Sequence, residues 1–542
     1  MKKLTVFVLL FLVAVFAFSV ASQGNAATEK RLLRATFAWP TYIDPAVGKD
    51  ISGATALQSL YDPLVFPDTN GNPVPHVAKS WEALPDGLTW TFHLRSGIKF
   101  HDGTELTAED VKFSMDRLLT MGEGHSFLFL GRIKETEAVD RYTVKFHMEK
   151  PFGPFLSTLF QFYILNKNLV MRHIKKPGSF GDMGDYGREW LLTHDAGSGA
   201  YMVKEFPLEE YLLMEKHPDY WGYIDPYAPD EFKMIGTTEP VTVRTLMARR
   251  ELEISDKWQP PEALAALNRI DGVEIATYYT HDQYYMHIHT RKPPTDDIHV
   301  RKAMTWAFDY KAATGLFPGS AETRAPNAQS LPGSDPNLPQ FRRDVQKAKE
   351  ELKKSKYYGQ LNKYPVEVHW CAEVPAEEKI ALLFMANMDE IGIPVKVVKV
   401  PWLTMVEESA TQETSPHLFH LINTARYPEA GAQLEARYHS RSAPSFLQNE
   451  WLLDEVLDGK IEDALTTDDR EKRFAKYAEI QRYILDLYPS IFVLDPAVRQ
   501  AYQTGYVDWP SARKGGVIPV NGYFIVPRFI RVYPEERAAL SK

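Results

Sequence analysis

The chain has 542 residues, of which 44% are hydrophobic and 25% charged, with a formal charge of −9. That composition excludes a disordered or collagen-like protein, the length exceeds one ordinary core and predicts several domains, and the acidic balance argues against a nucleic-acid partner. Cys371 is the only cysteine, so neither an intramolecular disulfide nor an N-terminal lipid-bearing cysteine is available, and stability must come from packing.

The first element in chain order is a segment to be removed rather than folded. Met1-Lys2-Lys3 is a short basic region, Leu4 to Val20 is apolar but for Ser19, and small residues follow through Ala27. This is the pattern of a secretory signal peptide over 1–27, cut after Ala21 or near Ala26-Ala27. An uncleaved anchor is the other reading, but the run is at the short limit for a membrane span. The mature protein is therefore expected to be soluble, exported and periplasmic.

A strand is predicted over Leu32 to Ala38 and a helix over Gly53 to Leu64, ending in the Tyr-Asp-Pro turn at 61–63. Leu88 to Leu94 and Tyr142 to Met148 both alternate, with Trp90, Phe92 and Leu94 on one face and Tyr142, Val144, Phe146 and Met148 on another, as half-buried antiparallel strands do. Between them lies GIKFHDGTELTAEDVKFSMDRL, residues 97 to 118. His101, Asp102, Glu105, Glu109 and Asp110 invite a metal or acid/base reading. The local pattern favours structure instead: Asp102-Gly103 is a turn, and Thr107 with Asp110 has capping-box spacing ahead of a helical repeat through Val111, Met115 and Leu118.

Farther on, Val300, Ala303-Met304 and Ala307-Phe308 mark an amphipathic helix, and Pro326 to Pro339 reads as a surface loop. Val366, Val368 and Trp370 alternate as a strand. Ile380, Leu383-Phe384, Met388 and Ile391 recur at helical spacing, and Gly392 stops that helix before a strand from Ile393 to Val400, giving a βαβ unit. A last helix runs from Phe474 to Leu487, where Pro489 ends it. Two α/β lobes with a β-rich insert is the economical arrangement.

Catalytic signatures are lacking. There is no Gly-x-Ser-x-Gly elbow, no phosphate-binding Gly-x-x-x-x-Gly-Lys loop and no His-Glu-x-x-His helix. Gly197-Ser198-Gly199 reads as a plain turn. His287 and His289 share a strand face, but two imidazoles fall short of a zinc site. No catalytic group, metal or cofactor is expected. Aromatic residues in polar, turn-rich settings are the remaining signal: Phe37-Ala-Trp39-Pro-Thr-Tyr42, Asp256-Lys-Trp258-Gln and Pro401-Trp402 suit the walls of a cleft for amphipathic ligands.

Several long motifs in order then resemble a known family. Gly71-Asn-Pro-Val-Pro-His-Val-Ala78 through Trp81-Glu82, Asp86-Gly-Leu-Thr-Trp-Thr-Phe-His-Leu-Arg95, Gly97-Ile-Lys-Phe-His-Asp-Gly103, Gly197-Ser-Gly-Ala-Tyr201, His217-Pro-Asp-Tyr-Trp-Gly222, Lys292-Pro-Pro-Thr-Asp-Asp297 and Ile391-Gly-Ile-Pro-Val395 are similar to the pattern of the family 5 extracellular solute-binding proteins, the peptide and nickel type receptors of ABC importers. The resemblance implies an α/β, type II periplasmic-binding-protein fold, with two lobes joined by hinge strands and a β-rich subdomain inserted in lobe I. It divides the chain into the first lobe over 28–66, 191–286 and 491–542, the β-rich subdomain over 67–190, and the second lobe over 287–490. Crossing segments are expected at Tyr284 to Thr290 and near Ile491 to Leu494, with ligand trapped between lobes on closure.

The same resemblance implies binding residues. In peptide-binding members an acidic residue of the second lobe, within an Asp-Tyr element after a small-Trp pair, holds the peptide's α-ammonium. The matching segment here is Leu421-Ile-Asn423-Thr-Ala-Arg426-Tyr427-Pro-Glu429, which sets Arg426 at the aspartate position and Asn423 at the tryptophan position. A guanidinium there repels an ammonium and favours a carboxylate or other anion. Trp402 matches the tryptophan opening the loop after the second-lobe βαβ unit, and Trp258 and Gln259 fall where the first lobe meets the peptide backbone. Asp50, Tyr284, Tyr427 and Glu429 complete the expected ligand-binding set, with Glu429 or Asp50 the alternative holders of an amine. The expected function is a monomeric receptor that delivers a peptide-like or other amphiphilic, anionic solute to an ABC permease. Oligosaccharides and metal chelates are alternatives within the class; a hydrolase using Asp50 or Glu429 and an envelope protein-binding module are alternatives outside it.

Overall fold

The computed structural model describes residues 30–37, 42–48, 50–372, 374 and 376–540; the segment 1–27, expected to be a signal peptide, and position 38 of the first predicted strand lie outside them. Three principal sheets organise the chain. The first begins with Leu32–Phe37, parallel to Glu231–Gly236, which continues antiparallel to Tyr211–Lys216 and Tyr201–Glu205. On its other side Ile254 bridges Ala35 to Tyr502, so that the antiparallel pair Val273–Tyr279 and Ala497–Gln503 joins the same layer.

The β-rich insert is a four-stranded antiparallel sheet of Ala78–Ala83, Thr89–Leu94, Thr143–Met148 and Ile133–Asp140. Its two alternating strands bury Trp90, Phe92 and Leu94, and Val144, Phe146 and Met148, as their period of two requires. Helix Ala108–Met121 packs beside it. The Thr107 amide donates to Asp110 Oδ2 at 2.9 Å, and Gly122, at φ 68°, closes the far end in the left-handed region. A bidentate pair between buried Arg117 and Asp44, both contacts 2.6 Å, ties this helix to the first lobe.

The second lobe is a five-stranded sheet in the order Val395–Val400, Val366–Cys371, Leu418–Thr424, Asp282–Ile288, Ser490–Leu494. Helix Ala376–Asp389 connects the first two in parallel, confirming the βαβ unit, and Gly392 has φ 80° where the stop was expected. One face of this sheet packs Tyr284, Met286 and Ile288 with Val300, Met304, Phe308 and Phe384. The opposite face packs Tyr285, Phe419, Leu421 and Cys371 with Met405 and Trp402.

The chain passes between lobes twice. Val273–Tyr279 ends in the first-lobe sheet and Asp282–Ile288 starts in the second, while Ser490–Leu494 leaves the second and Ala497–Gln503 re-enters the first. The crossings are therefore Thr280-His281 and Asp495-Pro496. The expected crossing at Tyr284 to Thr290 is corrected, and so is the boundary at 286/287, because that segment is paired on both sides within the second sheet. At the other crossing, Ile491 to Leu494 likewise belongs to the sheet.

Gly197 and Gly199 have a specific structural reason. A Cβ at Gly197 would lie 1.9 Å from the Leu60 carbonyl oxygen, and one at Gly199 2.4 Å from that of Ser59. The segment passes flush against the end of helix Ile51–Leu60, which starts two residues earlier and ends four earlier than its sequence pattern predicts.

Candidate functional site

Three short segments converge where the chain crosses between lobes: the turn Asp256 to Gln259 from the first lobe, Thr280 to Asp282 at the first crossing, and the end of strand Leu418–Thr424 from the second lobe. Asp256 is buried, and its Oδ2 accepts from Gln259 Nε2 at 2.7 Å and Thr36 Oγ1 at 3.2 Å, while Oδ1 accepts from the Trp258 amide at 2.9 Å. Burial raises the Asp256 pKa and these donors partly offset it. The carboxyl thus anchors the turn, leaving Trp258 46% exposed.

Across the junction between the lobes, Asp282 accepts from the Thr280 hydroxyl at 2.7 Å and from the Thr424 hydroxyl. Lys257 reaches toward it from the first lobe, with Nζ 4.0 Å from Asp282 Oδ2. The crossings carry buried titratable groups. His281 lies between Pro519, whose carbonyl is 2.7 Å from Nε2, and Ser330, 3.2 Å from Nδ1; burial lowers its pKa to about 4. Asp495 accepts from the Gln329 amide at 2.7 Å, and burial raises its pKa to about 7. Glu377, in the first turn of helix Ala376–Asp389, accepts from the Cys371 amide at 2.9 Å and is likewise pushed up by burial, to about 8.

The expected site residues divide into two groups. Gln259 and Trp258 sit on the crevice turn, and Gln259 Nε2 also donates to the Thr238 carbonyl at 2.9 Å, bracing that turn. Asn423 is buried one residue before Thr424. Trp402 opens helix Trp402–Glu408, half-buried and edge-on to Phe446 with ring centroids 4.8 Å apart. Arg426 is exposed, its guanidinium 4.7 Å from the ring centroid of Phe127, so the contact spans the second lobe and the β-rich subdomain.

The others have structural employment. Asp50 caps helix Ile51–Leu60, accepting from the Gly53 amide at 2.7 Å. Tyr284 faces the core, its ring stacked on Phe317 at 5.7 Å, because strand alternation directs it away from Gln283 and Tyr285. Tyr427 is buried against Phe152. Glu429 is 1% exposed and paired bidentately with Arg473 at 2.8 and 3.0 Å, with Ser157 as a further donor. These geometries give Asp50 a capping role and seat Tyr284, Tyr427 and Glu429 in the packed interior.

The His101 region also resolves structurally. His101 pairs with buried Asp195 rather than with adjacent Asp102, and its Nε2 faces the Gly199 carbonyl at 3.0 Å. His287 pairs with Glu450 on the inner face of the second lobe, and His289 Nε2 turns to the Gln412 carbonyl at 3.1 Å. Sequence reading missed Lys257, Asp282 and Thr424. The stretch Asp256-Lys-Trp258-Gln was visible as an aromatic in a polar turn, but its charge partner is 25 residues away and only the crossing brings the two together.

A family model described as bacterial extracellular solute-binding proteins, family 5 Middle, matches residues 72–445. The chain is 29% identical over 492 residues to a probable D,D-dipeptide-binding periplasmic protein of Escherichia coli strain K12, covering 88% of this chain and 90% of that one. It is 26% identical over 522 residues to di/tripeptide-binding protein 2 of Pseudomonas aeruginosa, covering 90% and 93%. Among solved structures, a periplasmic binding protein of Helicobacter pylori in complex with peptide STSA superposes with TM-score 0.72 at 21% identity, covering 93% and 98%. A murein tripeptide binding protein in its unliganded open form gives 0.75 at 20%, covering 93% and 98%. The fold is thus that of the type II periplasmic binding proteins.

Proposed function

Because the chain belongs to family 5 of the bacterial extracellular solute-binding proteins and is a binding protein, not an enzyme, we propose that it captures a short peptide or peptide-like solute in the crevice between its lobes and presents it to an ABC permease. The observation that carries this reading is the junction between the lobes: an open indole at Trp258 and the Lys257 ammonium lie beside Asp256 and Asp282, whose carboxylates are engaged by hydroxyl and amide donors. Flat apolar walls with a few oriented polar groups suit a small amphipathic solute. The relatives named for dipeptides and di- or tripeptides, matched along most of their length, support the same class.

Export fits this role. Residues 1–27 have signal-peptide character, and among the described residues no helix is long and apolar enough to cross a membrane. The mature receptor is a periplasmic monomer in this proposal. Calorimetry with di- to tetrapeptides of L- and D-residues, set against maltotriose, tests it. Saturable heat with at least one peptide and none with the sugar is the expected result; the reverse pattern would replace the peptide reading with an oligosaccharide one.

A further inference from the structure

The geometry points to Lys257 as the residue that reads a carboxylate on the bound solute, an assignment that rests on the peptide-like reading above. An ammonium brings three N–H donors. That of Lys257 is on a side chain only 15% exposed, and its one ion contact among the described residues, Asp282 Oδ2 at 4.0 Å, is beyond hydrogen-bond reach. With no acceptor of the described residues within reach, its donors are left to solvent, and an acceptor on a bound solute can take that place.

The acceptors nearby are already engaged. Asp282 is held by the hydroxyls of Thr280 and Thr424, and Asp256 by Thr36, Gln259 and the Trp258 amide. Among the described residues this corner offers Lys257 no acceptor within hydrogen-bond reach, and an anionic group on the solute satisfies both its charge and its donors. The lysine is also oriented for that task. Its Nζ lies 5.5 Å from the Trp258 ring centroid, so a carboxylate on Lys257 sets the neighbouring part of the solute against the exposed indole. Asp282 acts as a positioning residue, drawing the lysine stem across the crevice while its own oxygens face threonines.

The assignment differs from one based on Arg426, whose guanidinium lies over Phe127. It predicts selection for a free acid at the inner end of the crevice. The test uses full-length mature protein, Lys257→Met and Lys257→Arg, titrated with Ala-Ala, D-Ala-D-Ala, Ala-Ala-Ala and the C-terminal amide of each. The expected result is that wild type prefers acid over amide by about 10- to 100-fold, that Lys257→Met binds both at the amide level, and that Lys257→Arg retains the preference. Equal binding of acid and amide by wild type, or an undiminished preference in Lys257→Met, overturns the role of Lys257 while leaving the peptide reading intact. Absence of binding by every peptide acid overturns both. Lys257→Gln serves where the methionine variant does not fold, and a purely structural lysine would leave the acid-to-amide ratio unmoved in either.

Discussion

Trp258 and Trp402 differ in how much of the fold leans on them. Trp258 exposes 46% of its surface on a turn braced by Asp256 and Gln259, whereas Trp402 packs edge-on to Phe446 against the apolar face of the second sheet. Trp258→Ala is expected to weaken solute binding by about 1–3 kcal/mol with little change in the melting temperature of free protein. Trp402→Ala, by contrast, should cost about 1–3 kcal/mol of stability as well, measured by urea unfolding, since it opens a gap beside Met405 and Phe446. Arg426→Ala removes a contact across the lobes and should weaken binding by only about 0.5–1 kcal/mol. A loss comparable to that of Trp258→Ala would place Arg426 in the crevice proper.

At the same scale the two crossings make opposite predictions for pH. His281 has its pKa lowered to about 4 by burial, so its contribution to stability is present above the unfolded value near 6.5 and is lost as pH falls from there toward 4. Asp495 is raised to about 7, so its contribution is present below the unfolded value near 4 and is lost as pH rises through 7. At most the shifts are worth about 3 kcal/mol for His281 and about 4 kcal/mol for Asp495, and in wild type the two trends oppose one another. His281→Gln should leave a protein whose stability falls from pH 4 to 7 relative to wild type, and Asp495→Asn one whose stability falls from pH 6.5 to 4. Parallel difference curves for the two variants would rule out this assignment.

Among the elements, the helix Ala430–Tyr438 and the helix Arg470–Leu487 are joined by a buried ion pair, Glu429 with Arg473. Glu429→Ala leaves a guanidinium that is 3% exposed without its carboxylate, and the expected loss is about 3–5 kcal/mol of unfolding free energy. Solute affinity measured where the variant remains folded should stay near that of wild type. The strands and helices themselves were largely legible. Alternation at Trp90, Phe92 and Leu94, the Thr107–Asp110 cap and the Gly392 stop are local devices, and local sequence encodes them. The partners of Glu429 and Tyr284 were illegible for a different reason: an acidic residue or a tyrosine near a binding segment looks the same whether it faces a cleft or the core, and the core contacts come only from the register of Asp282–Ile288 and the arrival of Arg473. Lys257 with Asp282 was illegible because the partners belong to different lobes.

For the whole molecule, closure about Thr280-His281 and Asp495-Pro496 is the motion the topology permits, since on either side the strands are locked into separate sheets. Small-angle scattering should give a smaller radius of gyration with saturating peptide than without it. An unchanged profile with ligand demonstrably bound would count against the hinge. The crossings also dictate an order of assembly. All five strands of the second sheet lie between Asp282 and Leu494, whereas Leu32–Phe37 must find Glu231–Gly236, and Val273–Tyr279 must wait for Ala497–Gln503. Such distant pairings are slow to form and leave strand edges uncovered in the meantime. The second lobe can therefore mature as a contiguous unit as the chain emerges while the first remains an unfinished sheet until its C-terminal strand has followed, so a chain stopped short of residue 497 retains a foldable second lobe and an aggregation-prone first.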